Sequence, residues 1–271
     1  MGSILSLPNK FAARIKSLVG SFIWKSFEQR VGYMQLILPK NRGGLALHDV
    51  ERKCQALLVN RFRTTQTNSF IINTLENNSA SSIYNEYNYL KIVEHEIRIL
   101  PSQVLEHLTS NLLYNFYLEK VNAPEIEKKY RQHNWKTIWK TIRCKNLNSD
   151  ELSSLYLFIN EKIPNMEQFH RQGRVPRPFC TFCTGIIEDL CHKFSVCQFS
   201  RNLWQYLIQK LNDCNIRTNR INFSSVKFPT LTGYTRTEKR KIVELFGKYV
   251  HYIVTNAPHD RHISDLALIL Q

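Results

Sequence analysis

Apolar residues recur every three or four positions through most of this chain, and the interruptions mark where its elements end. In NKFAARIKSLVGSFIWK, Phe11, Ile15, Leu18, Val19 and Phe22 share one helical face, and Arg14 and Lys16 lie on others. The period then changes. YMQLILPKNRGGLAL is an apolar run, a Pro-Lys-Asn-Arg-Gly-Gly break and a second apolar run, which predicts a small β-hairpin with a basic tip. HDVERKCQALLVNRFRT returns to helical spacing, with Asp49 placed to cap its start. TQTNSFIINTLENNSASSIYNEYN is rich in Asn, Ser and Thr and predicts a loop and a boundary.

Beyond it, LPSQVLEHLTSNLLYNFYLEK predicts a helix with Ser102 as N-cap and Leu105, Leu108, Leu112 and Phe116 as its inner stripe. Trp135 and Trp139 stand one turn apart and share a face, which is a core pattern before it is a base-stacking one. DELSSLYLFINEKIP, FSRNLWQYLIQKLN and TEKRKIVELFGKYVHYIV each carry a helical stripe. The expected fold class is therefore mainly α, with one small hairpin. The expected divisions are a helix–hairpin–helix segment over 1–65, a helical connector over 66–130, a helical domain over 131–256 and a tail over 257–271.

Charge adds a partner class. The net charge is +15, from 37 Lys+Arg and 22 Asp+Glu. Residues 1–65 carry +8, residues 66–135 carry −2 and residues 136–271 carry +9. Segregated positive charge suits a polyanion, because each cation set against a phosphate releases condensed counterions. RNA or DNA is the expected partner. No apolar stretch approaches the ~20 residues of a membrane span, so no membrane partner is expected. The start lacks a signal-peptide pattern, so an intracellular setting, nucleus or cytoplasm, is expected. MGSILS fits the short myristoylation pattern, which chance often matches.

Four of seven cysteines fall in CTFCTGIIEDLCHKFSVC. In a reducing compartment such a cluster means metal more often than disulfide. Cys180, Cys183, His192 and Cys197 spell C-x2-C-x8-H-x4-C, a closed set of three thiolates and one imidazole that suits a single structural Zn²⁺. Cys191 stands beside His192 and is the alternative third ligand. The x4 spacing to Cys197 favours His192 and leaves Cys191 as a small buried apolar side chain. The zinc module is expected over about 160–215. Ordinary reduced core cysteines are the plainer reading of the same residues. Arg171, Arg174 and Arg177, three apart in a Pro-containing stretch, form a candidate phosphate-contacting arm or a solvated basic loop. Lys40 and Arg42 at the predicted hairpin tip are weighed the same way.

Two segments, taken together, resemble a known family. NEKIPNMEQFHRQGRVPRPFCTFCTGIIEDLCHKFSVCQFSRNLW is similar to the zinc-binding segment on the C-terminal side of non-LTR (LINE-type) retrotransposon reverse transcriptases. Glu188, His192, Phe194, Cys197 and Trp204 occupy that pattern's positions. FIWKSFEQRVGYMQLILPKNRGGLALHDVERKCQALLVNRFR resembles the segment that follows the palm in the same proteins, through Leu38, Pro39, Lys40, Gly43, Gly44 and Leu45. The resemblance implies a thumb-like segment that grips a primer–template backbone, followed by a zinc-binding tail. It also favours contacting roles for Lys40 and Arg42. The chain departs from the family at the catalytic centre. Two-metal polymerisation needs clustered carboxylates, and the six aspartates, at 49, 150, 189, 213, 260 and 265, include no adjacent pair. No catalysis and no small-molecule substrate are expected. A zinc-stabilised protein-interaction module and a non-functional transposon remnant are the alternatives.

Overall fold

A computed structural model of the chain describes residues 9–24, 30–66, 109–143 and 145–255, with side chains from 10 onward except those of 61–66. It is mainly helical, and no strand occurs among the described residues. Two compact units divide it. One comprises residues 1–39 and 44–122; the other comprises residues 40–43 and 123–271.

In the first unit, α1 (Asn9–Trp24), α2 (Tyr33–Leu36), α3 (Val50–Gln66) and α4 (Ser110–Glu119) are the described helices. Asp49 starts α3. It is fully buried, its Oδ1 accepts the Glu51 N–H at 3.1 Å, and it pairs with Arg52. Its own N–H donates to the Tyr114 hydroxyl of α4 at 2.9 Å. That bond helps set the phase of α4, which buries Leu113, Tyr114, Tyr117 and Leu118 against Ala56, Leu58 and Val59. The predicted stripe is thus out of phase. Leu112 is exposed and Phe116 half-buried, while Ser102, Leu105 and Leu108 lie outside the described residues. Thr109 is the cap, its Oγ1 accepting the Leu112 N–H at 3.2 Å.

The predicted hairpin is not formed. Leu36, Ile37 and Leu38 are buried in succession, and a strand with one face in solvent cannot bury three consecutive side chains. The outgoing leg winds into α2, and Lys40–Arg42 form a 3₁₀ turn after Pro39. The return leg still bonds back, through Leu45 N–H to Leu36 O at 3.0 Å and Ala46 N–H to Leu38 O at 2.9 Å.

The second unit holds α5 (Glu125–Lys129), α6 (Trp135–Thr141), α7 (Ser149–Ile159), α8 (Met166–Arg171), α9 (Gln198–Asp213), α10 (Phe223–Lys227) and α11 (Arg236–Thr255). Asn148 and Glu151 form a reciprocal capping box at the start of α7. α7 packs along α11, with Phe158 edge-on to Phe246 at 5.6 Å and Ser154 bonded to His251 at 2.9 Å. Leu203, Leu207 and Leu211 bury the inner face of α9. Trp135 and Trp139 are core residues, with ring centroids 5.3 Å apart. Each indole N–H is satisfied internally, Trp139 by Glu127 at 2.6 Å and Trp135 by the Tyr130 carbonyl at 2.9 Å. Gly43 belongs to this unit. Its φ of +76° and the Trp139 ring against its Cα leave no place for a side chain.

Candidate metal centre

Local chain geometry brings the cysteine cluster together. Pro178–Glu188 folds back on itself. Cys180 N–H donates to Ile186 O at 2.8 Å and Glu188 N–H to Pro178 O at 2.9 Å, and Phe179 and Ile187 bridge antiparallel. Gly185 turns the chain at φ +72°, a conformation that favours glycine. Cys180 and Cys183 therefore face inward from one tight loop.

The His-x4-Cys half depends on a less common device. His192–Val196 forms a wide π-type turn, closed by Cys197 N–H to His192 O at 2.8 Å. At 100° per residue, an α-helix would set two residues five apart about 140° from each other. An i to i+5 closure spends more residues per turn and brings them back toward one side. Asp189 starts this turn, its Oδ1 accepting the His192 N–H at 2.6 Å. α9 then begins directly at Gln198.

The result is that Cys180, Cys183, Cys197 and His192 offer ligand atoms all within 4.8 Å of one another. Cys197 Sγ lies 3.8 Å from Cys180 Sγ and 3.8 Å from Cys183 Sγ. Both ring nitrogens of His192 are buried with no hydrogen-bond partner among the described residues. Such an orphaned polar atom costs about 1–3 kcal/mol, and a cation bound at the cluster would satisfy one of the two. Burial raises the Cys180 thiol, against N–H donation from Phe182 and Cys183, and pushes Cys197 up to about 12. Cys183 is lowered, first by the Gln198 backbone N–H and further by neighbouring sulfurs and the Arg201 guanidinium, with burial opposing. Grouped thiols that resist ionising alone are converted to thiolates by a bound metal ion. Three sulfurs and an imidazole suit a soft or borderline transition metal, and all four positions are protein-filled. The donor set therefore fits a structural ion. It offers no open position for chemistry.

The surroundings hold the ligands in place. Glu188 is buried, accepts the Met166 N–H at 3.2 Å at the start of α8 and lies 3.7 Å from Lys193. Lys193 in turn donates to Pro164 O at 3.0 Å. Phe194 is fully buried edge-on to Phe158 at 4.7 Å, and its carbonyl accepts the Tyr249 hydroxyl at 2.6 Å. Trp204 packs edge-on to Tyr249 at 5.8 Å. Cys191 corrects the sequence reading. It is exposed and outside the cluster, its Sγ 3.3 Å from Ser195 Oγ; adjacent residues of a helical turn point about 100° apart, and His192 takes the inward position.

The basic candidates are dispersed over the second unit. Arg171, Arg174 and Arg177 are all exposed. Arg171 lies 3.8 Å from Glu167 and borders a cleft of about 840 Å³ whose rim mixes Lys129, Lys227, Glu161 and Asp189. Arg174 stacks on Phe169 at 4.6 Å. Arg177 makes no ion pair among the described residues. Lys40 is exposed and its carbonyl accepts from Arg143 at 2.8 Å, while Arg42 is half-buried. Sequence reasoning puts Tyr249 in a core stripe without a tie to the cluster, and it missed Asp189, Phe182 and Arg201. Only Asp189 carried a local signal, an N-cap residue three before the residue it serves.

The chain matches no protein-family model, and searches of curated proteins and of solved structures return no match.

Proposed function

We propose that this chain is a zinc-stapled nucleic-acid-binding segment that acts through the phosphate backbone and catalyses nothing itself. The observation that carries the reading is the Cys180–Cys183–His192–Cys197 cluster in a strongly basic chain. Zinc fits its dimensions. Zn–S bonds of about 2.3 Å in a tetrahedron put sulfurs about 3.8 Å apart, which is the 3.8 Å separation of Cys197 from both partners. The exposed Arg171, Arg174 and Arg177, at the end of α8 and in the loop that leads into the cluster, supply cations that phosphates can reach. With Lys40 and Arg42 they are the proposed contacts. The resemblance of the two quoted segments to LINE-type reverse transcriptases supports RNA or DNA as partner, an intracellular setting and origin as the C-terminal part of such a polymerase. The absence of an Asp-Asp pair argues against polymerase chemistry.

A salt-titrated shift assay with RNA and DNA tests the reading. Binding should weaken with a log–log slope of about −3 or steeper. Charge-neutral binding, or none at low salt, sinks it. Primer extension by the purified chain would overturn the non-catalytic part. A protein-docking role is the second reading, favoured by the exposed Phe179, Ile186, Ile187 and Val196 around the cluster, and it predicts binding insensitive to salt.

A further inference from the structure

Phe182 lies between two of the candidate metal ligands; its backbone N–H donates to Cys180 Sγ at 3.4 Å, but its ring offers no ligand atom. Its ring is stacked on Phe199 with centroids 4.7 Å apart and planes within 6°. Phe199 is stacked in turn toward Tyr252, at 6.3 Å and 20°. Exposure rises along this series: Tyr252 is 2% exposed, Phe199 half-buried and Phe182 47% exposed. Parallel stacking covers one face of a ring and leaves the other to whatever else can reach it. The stack therefore ends in a partly exposed ring, backed on one face by Phe199 in the first turn of α9.

The segment that carries it is cationic. Between His170 and Arg201 the chain carries five Lys+Arg and two Asp+Glu. The two acids are engaged, Glu188 with Met166 N–H and Lys193, and Asp189 with His192 N–H. Arg177 and Arg201 are exposed and make no ion pair among the described residues. Arg201 follows Phe199 by two residues and lies near enough to Cys183 to lower its thiol.

We propose that Phe182 is a stacking platform for one unpaired base of a single-stranded nucleic acid, with Arg177 and Arg201 on the adjoining phosphates. This rests on the nucleic-acid reading above and narrows it to unpaired strands. A base has an apolar face and a charged backbone within one nucleotide, which matches an exposed ring in a segment that also carries exposed guanidiniums. A duplex stacks its bases internally and offers that ring nothing.

The test uses the metal-loaded chain and a short single-stranded oligonucleotide carrying 2-aminopurine, with the same sequence as duplex for comparison. Wild type should quench the 2-aminopurine. Phe182→Ala should remove the quenching and weaken single-strand binding about ten-fold, with duplex binding and the salt slope unchanged. Phe182→Trp should restore both. Phe182→Leu keeps apolar bulk without a ring and should behave as Phe182→Ala; equal metal content in all variants shows that the loop is intact. Single-strand binding and quenching by Phe182→Leu at wild-type levels would overturn the platform and leave the ring to a protein partner. Equal losses on single strand and duplex would also overturn it. If wild type binds neither oligonucleotide at low salt, the broader reading falls, and the platform with it.

Discussion

Tyr249 donates its hydroxyl to the carbonyl of Phe194 across 2.6 Å, tying the last described helix to the turn that carries His192. Both residues are fully buried, and burial raises the phenol far above its ordinary range, so the hydroxyl remains a donor at any working pH. Tyr249→Phe should cost about 1–3 kcal/mol, because the Phe194 carbonyl loses its donor. Urea denaturation measures that loss. Competition with a chelator should show weaker metal retention in the same variant, since the turn supporting His192 and Cys197 loses an anchor.

Removing the metal should unfold the module more than any single packing change does. Binding free energy at such a site is folding free energy. Wild type should hold one zinc per chain by elemental analysis. Cys180→Ser or chelation should release it with loss of near-ultraviolet dichroism. Cys191→Ser should change neither, since its sulfur lies outside the cluster. Equal metal loss in Cys191→Ser and Cys180→Ser would contradict the ligand assignment.

Glu161 predicts an acid limb of stability. Burial raises its carboxyl, but hydrogen bonds from Lys129, Lys227 and Tyr130 outweigh burial and hold it at about 2, against an ordinary 4.5. A depressed carboxyl contributes stability that is fully present above the unfolded value and is lost as pH falls through the folded one. The contribution should therefore fade from about pH 4.5 down to about pH 2. Glu161→Gln should cost about 1–2 kcal/mol at neutral pH, allowing for solvent screening of the exposed Lys129. Its stability should be flatter across that acid window than wild type in a pH series of thermal melts.

Gly43→Ala tests the tight turn after Pro39. An added Cβ would lie 2.6 Å from the Trp139 ring, at a φ of +76°. Strain at positive φ and overpacking against a buried indole together should cost about 2–4 kcal/mol. Thermal melting gives the value. A loss under half a kcal/mol would mean that the Trp139 ring yields freely.

These helices were legible where burial is one-sided. Leu203, Leu207 and Leu211, or Ile242, Leu245, Phe246, Tyr249 and Val250, show the core stripe of α9 and α11 directly in the spacing. That Cys180, Cys183, His192 and Cys197 come together was legible too, because short Cys and His spacings permit few arrangements. The misreadings share a cause. Periodicity assumes a fixed rotation per residue, and it fails where that rotation changes. The wide turn at His192–Val196 closes on Cys197 at a spacing no α-helix would bring to one side, and the 3₁₀ turn at Lys40–Arg42 replaces a hairpin tip. The phase of α4 follows a partner from far along the chain, the bond between Asp49 and Tyr114, and no local window contains it.

The four candidate metal ligands lie within 18 consecutive residues, whereas Tyr249 comes 52 positions after the last of them. Loops of such length close in well under a microsecond, and contacts across long separations form later. During synthesis a chelate at this cluster can therefore assemble as soon as Cys197 is available, and α11 then docks on a nucleus that is already set.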